Sequence, residues 1–317
     1  MSARAKKKKG RKSNLLADYL IYLLLRVVAV FVQMPSADTS VRIARGLGSG
    51  FYLIYGRGRK RAIDHLRKSF PGKNQAWLER TARRSFEHIA MLAFDVLLTV
   101  RLIRSSTWHR YVELGDVAEP LGIILRGQGI IMVTGHYGNF EVLGYVLATF
   151  GLPTYSIARP IDNPYVNRFL MGVRERQGQT IVDKKGATDS MLEILESGAT
   201  LSFIADQNAG RKGLFVDFFG RKASTYKSIA LLAMEYNLPI VIGYCRRIGC
   251  RYRFQIGMNR IITPRDWQDK ENPMKWITAE YTRAIEEFIR EEPDQYWWVH
   301  RRWKTRPPEE RKAAQRN

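Results

Sequence analysis

From residue 123 to residue 257 the chain alternates short apolar runs with helical patterns, and this alternation leaves few folds open. The apolar runs fall at 129–134, 153–158, 179–183, 199–205 and 239–245. Between them lie 139–150, 163–177, 187–197 and 225–237, where apolar residues return at helical spacing. Strands separated by a helix must cross over, and they pair in parallel. The run at 250–257 is different, because only Arg-Arg-Ile-Gly separates it from 239–245, and a short turn makes an antiparallel hairpin. A helix over 273–292 follows. Upstream, 37–55, 60–69 and 74–103 read as helices, the middle one stopped by Pro71-Gly72. The predicted fold is α/β, a mixed, largely parallel sheet flanked by helices.

Ligands of such sheets bind beyond the carboxyl ends of the strands. Three loops occupy that position: GHYGNFE at 135–141, ARPIDNP at 158–164 and ADQNAGRKG at 205–213. In the first, His136 sits at the bend and Glu141 lies five residues later. On an uninterrupted helix the two would be about 140° apart, so they meet only if His136 precedes the helix. Gly138 permits a tight approach and Asn139 can cap the helix. The expectation is a general base, His136, oriented by Glu141, beside a helix N-terminus that favours a developing anion. The competing reading is a His and a carboxylate that serve only the structure.

The sequence has neither a GxSxG nucleophile elbow nor an HExxH zinc signature. A base without an enzyme nucleophile suits a reaction in which a substrate hydroxyl attacks an activated acyl group. Arg174, near a helix C-terminus, either satisfies helix carbonyls or binds phosphate. Asp206, at the end of a buried strand, serves a ligand or forms a salt bridge with Arg174 or Arg159. Arg159 and Asn163 are candidates for anchoring an acceptor's sugar or phosphate, while Pro160 and Pro164 shape their loop. His65, His88, His109 and His300 read as structural, His300 standing apart from the others by its aromatic-basic setting. The closing stripe YWWVHRRWK, 296–304, is either a membrane-interface belt or the edge of a core.

The N-terminus divides the chain into a basic tail and apolar helix over 1–35, a catalytic domain over 36–306 and a polar tail over 307–317. Residues 15–34 approach the roughly 20 needed for a membrane span. Asp18 and Arg26 interrupt them, each costing about 2.5–3.5 kcal/mol at mid-bilayer. Basic residues flank the stretch on both sides, which suits a helix lying in or dipping into one leaflet. A buried core helix is the alternative. The net charge of +22 implies an anionic partner, whether nucleic acid, membrane surface or substrate. Cys245 and Cys250 lack zinc-site spacing and read as reduced thiols.

Several blocks carry a family likeness in a fixed order: HLRKSFPG at 65–72, TGHYGNFE at 134–141, IARPIDNPYVNRFLMGVRERQG at 157–178, IADQNAGRKGLFVDFFG at 204–220 and QYWWVHRRWKTRP at 295–307. In these the chain resembles the bacterial lipid A biosynthesis acyltransferase family over nearly its whole length. The resemblance implies a fold similar to the glycerol-3-phosphate acyltransferases. It also implies a donor that is a thioester of acyl carrier protein or coenzyme A, with no cofactor and no metal. The acceptor it implies is an anionic membrane glycolipid at the cytosolic face of the inner membrane. The family's H-x4-D/E box matches His136 and Glu141, and its further functional Arg and Asp match Arg174 and Asp206. Phospholipid acyltransferases carry an F-P-E-G-type box where this chain has DFFGRKAS, which argues against glycerophosphate acceptors. The family also includes acyltransferases of phosphatidylinositol mannosides, so the acceptor stays open. A non-catalytic basic protein binding nucleic acid or anionic lipid would explain the charge but not a His and a carboxylate at a strand end.

Overall fold

In the computed structural model, residues 14–152, 154–158, 160–176, 178–183 and 187–313 are described. The basic tail 1–13 and Arg159 lie outside the described residues. Four helices come first: α1 Leu15–Gln33, α2 Ala37–Ile54, α3 Gly56–Ser69 and α4 Gln75–Leu102. Side-chain oxygens set their starts, Asn14 accepting from the Ala17 N–H, Ser36 from Thr39 and Asn74 from Trp77. The third begins four residues earlier than its pattern predicts.

The α/β part then runs β1 Val112–Leu114, α5 Ala118–Leu125, β2 Ile130–Thr134, α6 Phe140–Thr149, β3 Thr154–Ala158, α7 Pro164–Glu175, β4 Gln179–Asp183, α8 Ala187–Glu196 and β5 Thr200–Ile204. It continues with β6 Leu214–Phe218, β7 Arg221–Thr225, α9 Ser228–Glu235, β8 Ile240–Arg247, β9 Phe254–Ile262, α10 Pro264–Trp267, α11 Pro273–Glu291 and α12 Pro308–Ala313. Seven strands form one sheet in the order β1-β9-β8-β2-β5-β3-β4. The pairs β8–β2, β2–β5, β5–β3 and β3–β4 are parallel, and β8–β9 is the antiparallel hairpin expected from its short turn. The predicted mixed, largely parallel α/β sheet is therefore present.

Two strand details differ from the sequence reading. The β8 partner occupies 254–262 instead of 250–257. Polar residues in MNRII hide its second half, yet Arg260 is held by Glu280 and Glu287 of α11. The β6–β7 hairpin was not expected at all. Its turn places Phe219 and Gly220 at positive φ, and a phenylalanine there gives no turn signal. Phe219 is kept there by its N–H bond to Glu286 and by packing against Phe70 and Trp298.

The connection after β2 leads through α6 past β5 to β3. The connection after β5 leads back past β2 to β8. Loops leaving β2 and β5 thus diverge, opening a crevice at the carboxyl ends of two adjacent strands.

The helix α1 is the one described helix long and apolar enough to cross a membrane by length and composition, and little of it is buried. Its protein-facing side meets α7: Tyr19 and Tyr22 pack on Tyr165, Arg26 lies over the Phe169 ring, and the Asn163 amide donates to the Asp18 carbonyl. Of the two residues that interrupt the apolar run, Arg26 thus packs its side chain on α7, while Asp18 meets the start of α7 through its backbone carbonyl. On α2, Ile43, Leu47, Phe51 and Ile54 form an exposed apolar stripe.

Candidate active site

Parallel register brings the first pair of functional side chains together. Thr134 of β2 is level with Ile204 of β5, and the Ala205 N–H extends the ladder to the Thr134 carbonyl. His136 and Asp206 each stand two residues beyond that rung. The His136 Nδ1 lies 2.7 Å from Asp206 Oδ1. A carboxylate only accepts, so Nδ1 carries the proton and Nε2 keeps its lone pair, which faces the Gln207 amide nitrogen at 3.1 Å. Burial pushes the Asp206 carboxyl up, but the charge of His136 and the hydrogen bonds from its ring and backbone outweigh this and hold it down to about 2.

The second pair is Glu141 with Arg174. Arg174 Nε and Nη2 donate to Glu141 Oε2 and Oε1 at 2.9 and 2.5 Å, a bidentate fork joining the first turn of α6 to the end of α7. This corrects two expectations. Glu141 does not orient His136, because α6 turns its first-turn carboxylate towards α7 while the sheet supplies Asp206 to the ring. Arg174 is not a free anion binder, because Glu141 engages its fork; nor does Asp206 pair with it. Asn163 also differs from its expected role at an acceptor. Its Oδ1 caps α7 through the Tyr165 and Val166 N–H groups, and its amide is taken by Asp18.

Glu141 and Arg174 stand at one end of an apolar groove, a cavity of about 70 Å³ between α6 and the sheet. Leu143, Gly144 and Leu147 line its helix side; Met132, Phe203 and Ile204 line its sheet side. Gln179, bonded to Ser156 Oγ at 2.8 Å, lies against Gly144.

A buried polar network behind the loop fixes its shape. Asn139 caps α6 through the Val142 N–H, and its amide donates to Asp95 Oδ2 at 2.8 Å. Asp95 also pairs with Arg247, and both side chains are almost fully buried. His88 Nε2 lies 2.9 Å from the Gly138 carbonyl, and burial, aided by the Arg247 charge, lowers its pKa to about 4. Neutral His88 therefore donates to that carbonyl. Gly138 has φ +55° and lies so close to the Cys245 carbonyl that a Cβ would collide with it. Its small size serves contact with β8, not with Glu141.

The C-terminal stripe is the edge of a core and not a membrane belt: Tyr296, Trp298, Arg302 and Trp303 are buried. Its Trp297 and His300 rings lie against the His136 ring, with centroids 5.1 and 6.2 Å away. Arg302 donates to the Gln207 and Ser224 carbonyls, anchoring the loop that carries Asp206. Sequence reasoning missed Asp95, Gln207, Trp297 and Arg302 as parts of the site. The aromatic-basic setting of His300 was the only local hint. The assembly offers a tautomer-fixed basic nitrogen at the strand ends, and Phe140, whose ring lies 5.2 Å from the His136 ring, also lines the apolar groove. This is a geometry for removing a proton from a hydroxyl near an apolar chain.

Comparison with known proteins matches residues 6–305 to the profile of the bacterial lipid A biosynthesis acyltransferase family. The chain is 25% identical to a lipid A biosynthesis lauroyltransferase of Escherichia coli K12, covering 91% of this chain and 92% of that protein. It is 28% identical to a lipid A biosynthesis acyltransferase of Haemophilus influenzae, over 84% and 86% of the two chains. A phosphatidylinositol mannoside acyltransferase of Mycolicibacterium smegmatis is 22% identical over 42% of this chain and 45% of its own length.

Proposed function

The chain belongs to the bacterial lipid A biosynthesis acyltransferase family, and from that premise we propose how it works: it moves a fatty acyl chain from a thioester of acyl carrier protein or coenzyme A to a hydroxyl of a lipid A precursor. His136 Nε2 takes the proton of the acceptor hydroxyl as its oxygen attacks the thioester carbonyl. Asp206 holds the ring and stabilises the imidazolium that forms. The tetrahedral oxyanion collapses, the C–S bond breaks, and the imidazolium returns the proton to the departing sulfur. Glu141 takes two of the Arg174 N–H groups, and in this reading the guanidinium's remaining N–H groups and its charge stabilise the developing oxyanion. The apolar groove beside the pair suits the acyl chain. A thioester is already activated, so the reading calls for no cofactor.

The observation that carries this reading is the placement of His136 and Asp206 at the diverging ends of β2 and β5. The exposed apolar sides of α1 and α2 suit attachment to the inner membrane, with the site on the cytosolic side where both candidate donors are made. The test is transfer of a labelled acyl group from the thioester to a lipid A precursor. The variant His136→Ala should lose roughly 10²–10⁴-fold in kcat and melt with the parent protein. Full turnover by a folded His136→Ala protein removes the mechanism.

A further inference from the structure

Away from the groove, a larger cavity of about 640 Å³ lies between α3 and the C-terminal segment. Arg61 and Lys68 of α3, Arg221 of β7, and Arg301, Lys304 and Arg306 line it. Lys68 is paired with Asp64 and Arg306 with Glu310. Arg61, Arg221, Arg301 and Lys304 have no carboxylate within ion-pair distance among the described residues. Arg221 lies over the Trp303 ring at 3.5 Å, and its Nε is buried without a hydrogen-bond partner among the described residues. Burial lowers the Arg221 pKa to about 10; the Asp64 carboxylate in the same cleft opposes this, and the Arg306 charge adds to it. His65, in the same wall, is lowered to about 4 first by burial and then by Arg221 and Arg61. The fold thus gathers six cations around one lining carboxylate, Asp64, in a place where an anion would offset the excess positive charge.

We propose that this cleft binds a phosphate monoester on the sugar of the acceptor lipid. The inference rests on the acyl-transfer reading for its substrate, and the cleft's position connects the two. Val299, whose carbonyl accepts from Arg61, and the cleft residue Arg301 flank His300, the ring stacked on His136. Fork-shaped guanidinium groups suit phosphate oxygens. In sequence the cleft residue Arg61 of α3 follows seven residues after Ile54, the 84% exposed end of the apolar stripe on α2. An apolar face leading to a basic cleft matches the order of acyl chains and phosphorylated headgroup in a leaflet. A soluble donor needs no such continuity.

The test compares the parent protein with Arg301→Gln/Lys304→Gln, both exposed positions without ion pairs. Two acceptors are used: a phosphorylated glycolipid, and the same lipid with its phosphate removed. The double substitution should raise KM for the phosphorylated acceptor on the order of 10-fold or more, with kcat within about threefold. The KM for the dephosphorylated acceptor should be the same for both proteins. A rise equal for both acceptors, no rise for either, or a rise confined to the thioester's KM overturns the assignment. If the parent protein transfers no acyl group, the acyl-transfer reading fails by itself, and binding decides the cleft. Phosphatidylcholine vesicles carrying the phosphorylated glycolipid should then sediment more parent protein than vesicles carrying the dephosphorylated one, and the double variant should lose that difference. Equal sedimentation of the parent protein by both vesicles overturns it.

Discussion

Two side-chain pairs stand near the carboxyl ends of β2 and β5, and they are held in different ways. His136 and Asp206 hang from adjacent strands in one register, with the Asp206 side chain only 2% exposed. Glu141 and Arg174 join two helices, and the Glu141 side chain is 18% exposed. The first pair is located by sheet hydrogen bonds and braced by Arg302 and the Asp95–Arg247 network. The second depends on how α7 lies, and α7 in turn is docked against α1. A carboxylate fixed by a sheet can hold a ring in one tautomer, whereas one on a helix end can tune a cation beside a groove.

The strongest way to break this contrast is Asp206→Asn. The amide fits the same space but favours the wrong tautomer of His136, so kcat should fall on the order of 10³–10⁴-fold, with little change in acceptor KM. Near-normal turnover by Asp206→Asn would return the orienting role to another group. The bracing of the base side can be read from acid denaturation. His88 titrates near 4 in the folded protein against 6.5 in an exposed chain, so the unfolded state binds more protons between these values. Stability should therefore be lost as pH falls from 6.5 towards 4, by about 3 kcal/mol from His88 alone. Chemical denaturation at a series of pH values, with and without His88→Gln, measures that share, and a flat pH profile would contradict a neutral buried His88.

Breaking the other pair should have a smaller effect. Glu141→Gln leaves Arg174 half-buried and uncompensated, and kcat should drop roughly tenfold. The double variant Glu141→Gln/Arg174→Gln should lose less than the product of the two single losses, because the residues act as one unit. Strict multiplication of the losses would separate them and reopen a direct link from Glu141 to His136. Smallest of all should be the catalytic effect of removing α1. A chain beginning at Ser36 should keep kcat within about threefold in detergent, since the base pair does not touch α1, while its hold on vesicles weakens and becomes salt-sensitive. A folded but inert Ser36 chain would show that α7 needs α1 to place Arg174.

Much of the architecture was legible because its signals are local. The alternation of apolar runs with helical spacing dictates an α/β sheet, and the short connection between the last two runs dictates an antiparallel end, although the turn itself lies at 248–253. The H-x4-E box and the apolar N-terminus were equally visible, as was the interest of Asp206 at a strand end. Only the tertiary structure decided partners. Strand order placed β5 beside β2 and so brought residue 206, not residue 141, to the histidine. The same long-range pairing hid Asp95, which reads as one more polar residue on α4, and the hairpin turning at Phe219. Periodicity follows from the geometry of the residue's own helix or strand, whereas a hydrogen bond across 70 residues follows from which strands become neighbours, and no local spacing carries that.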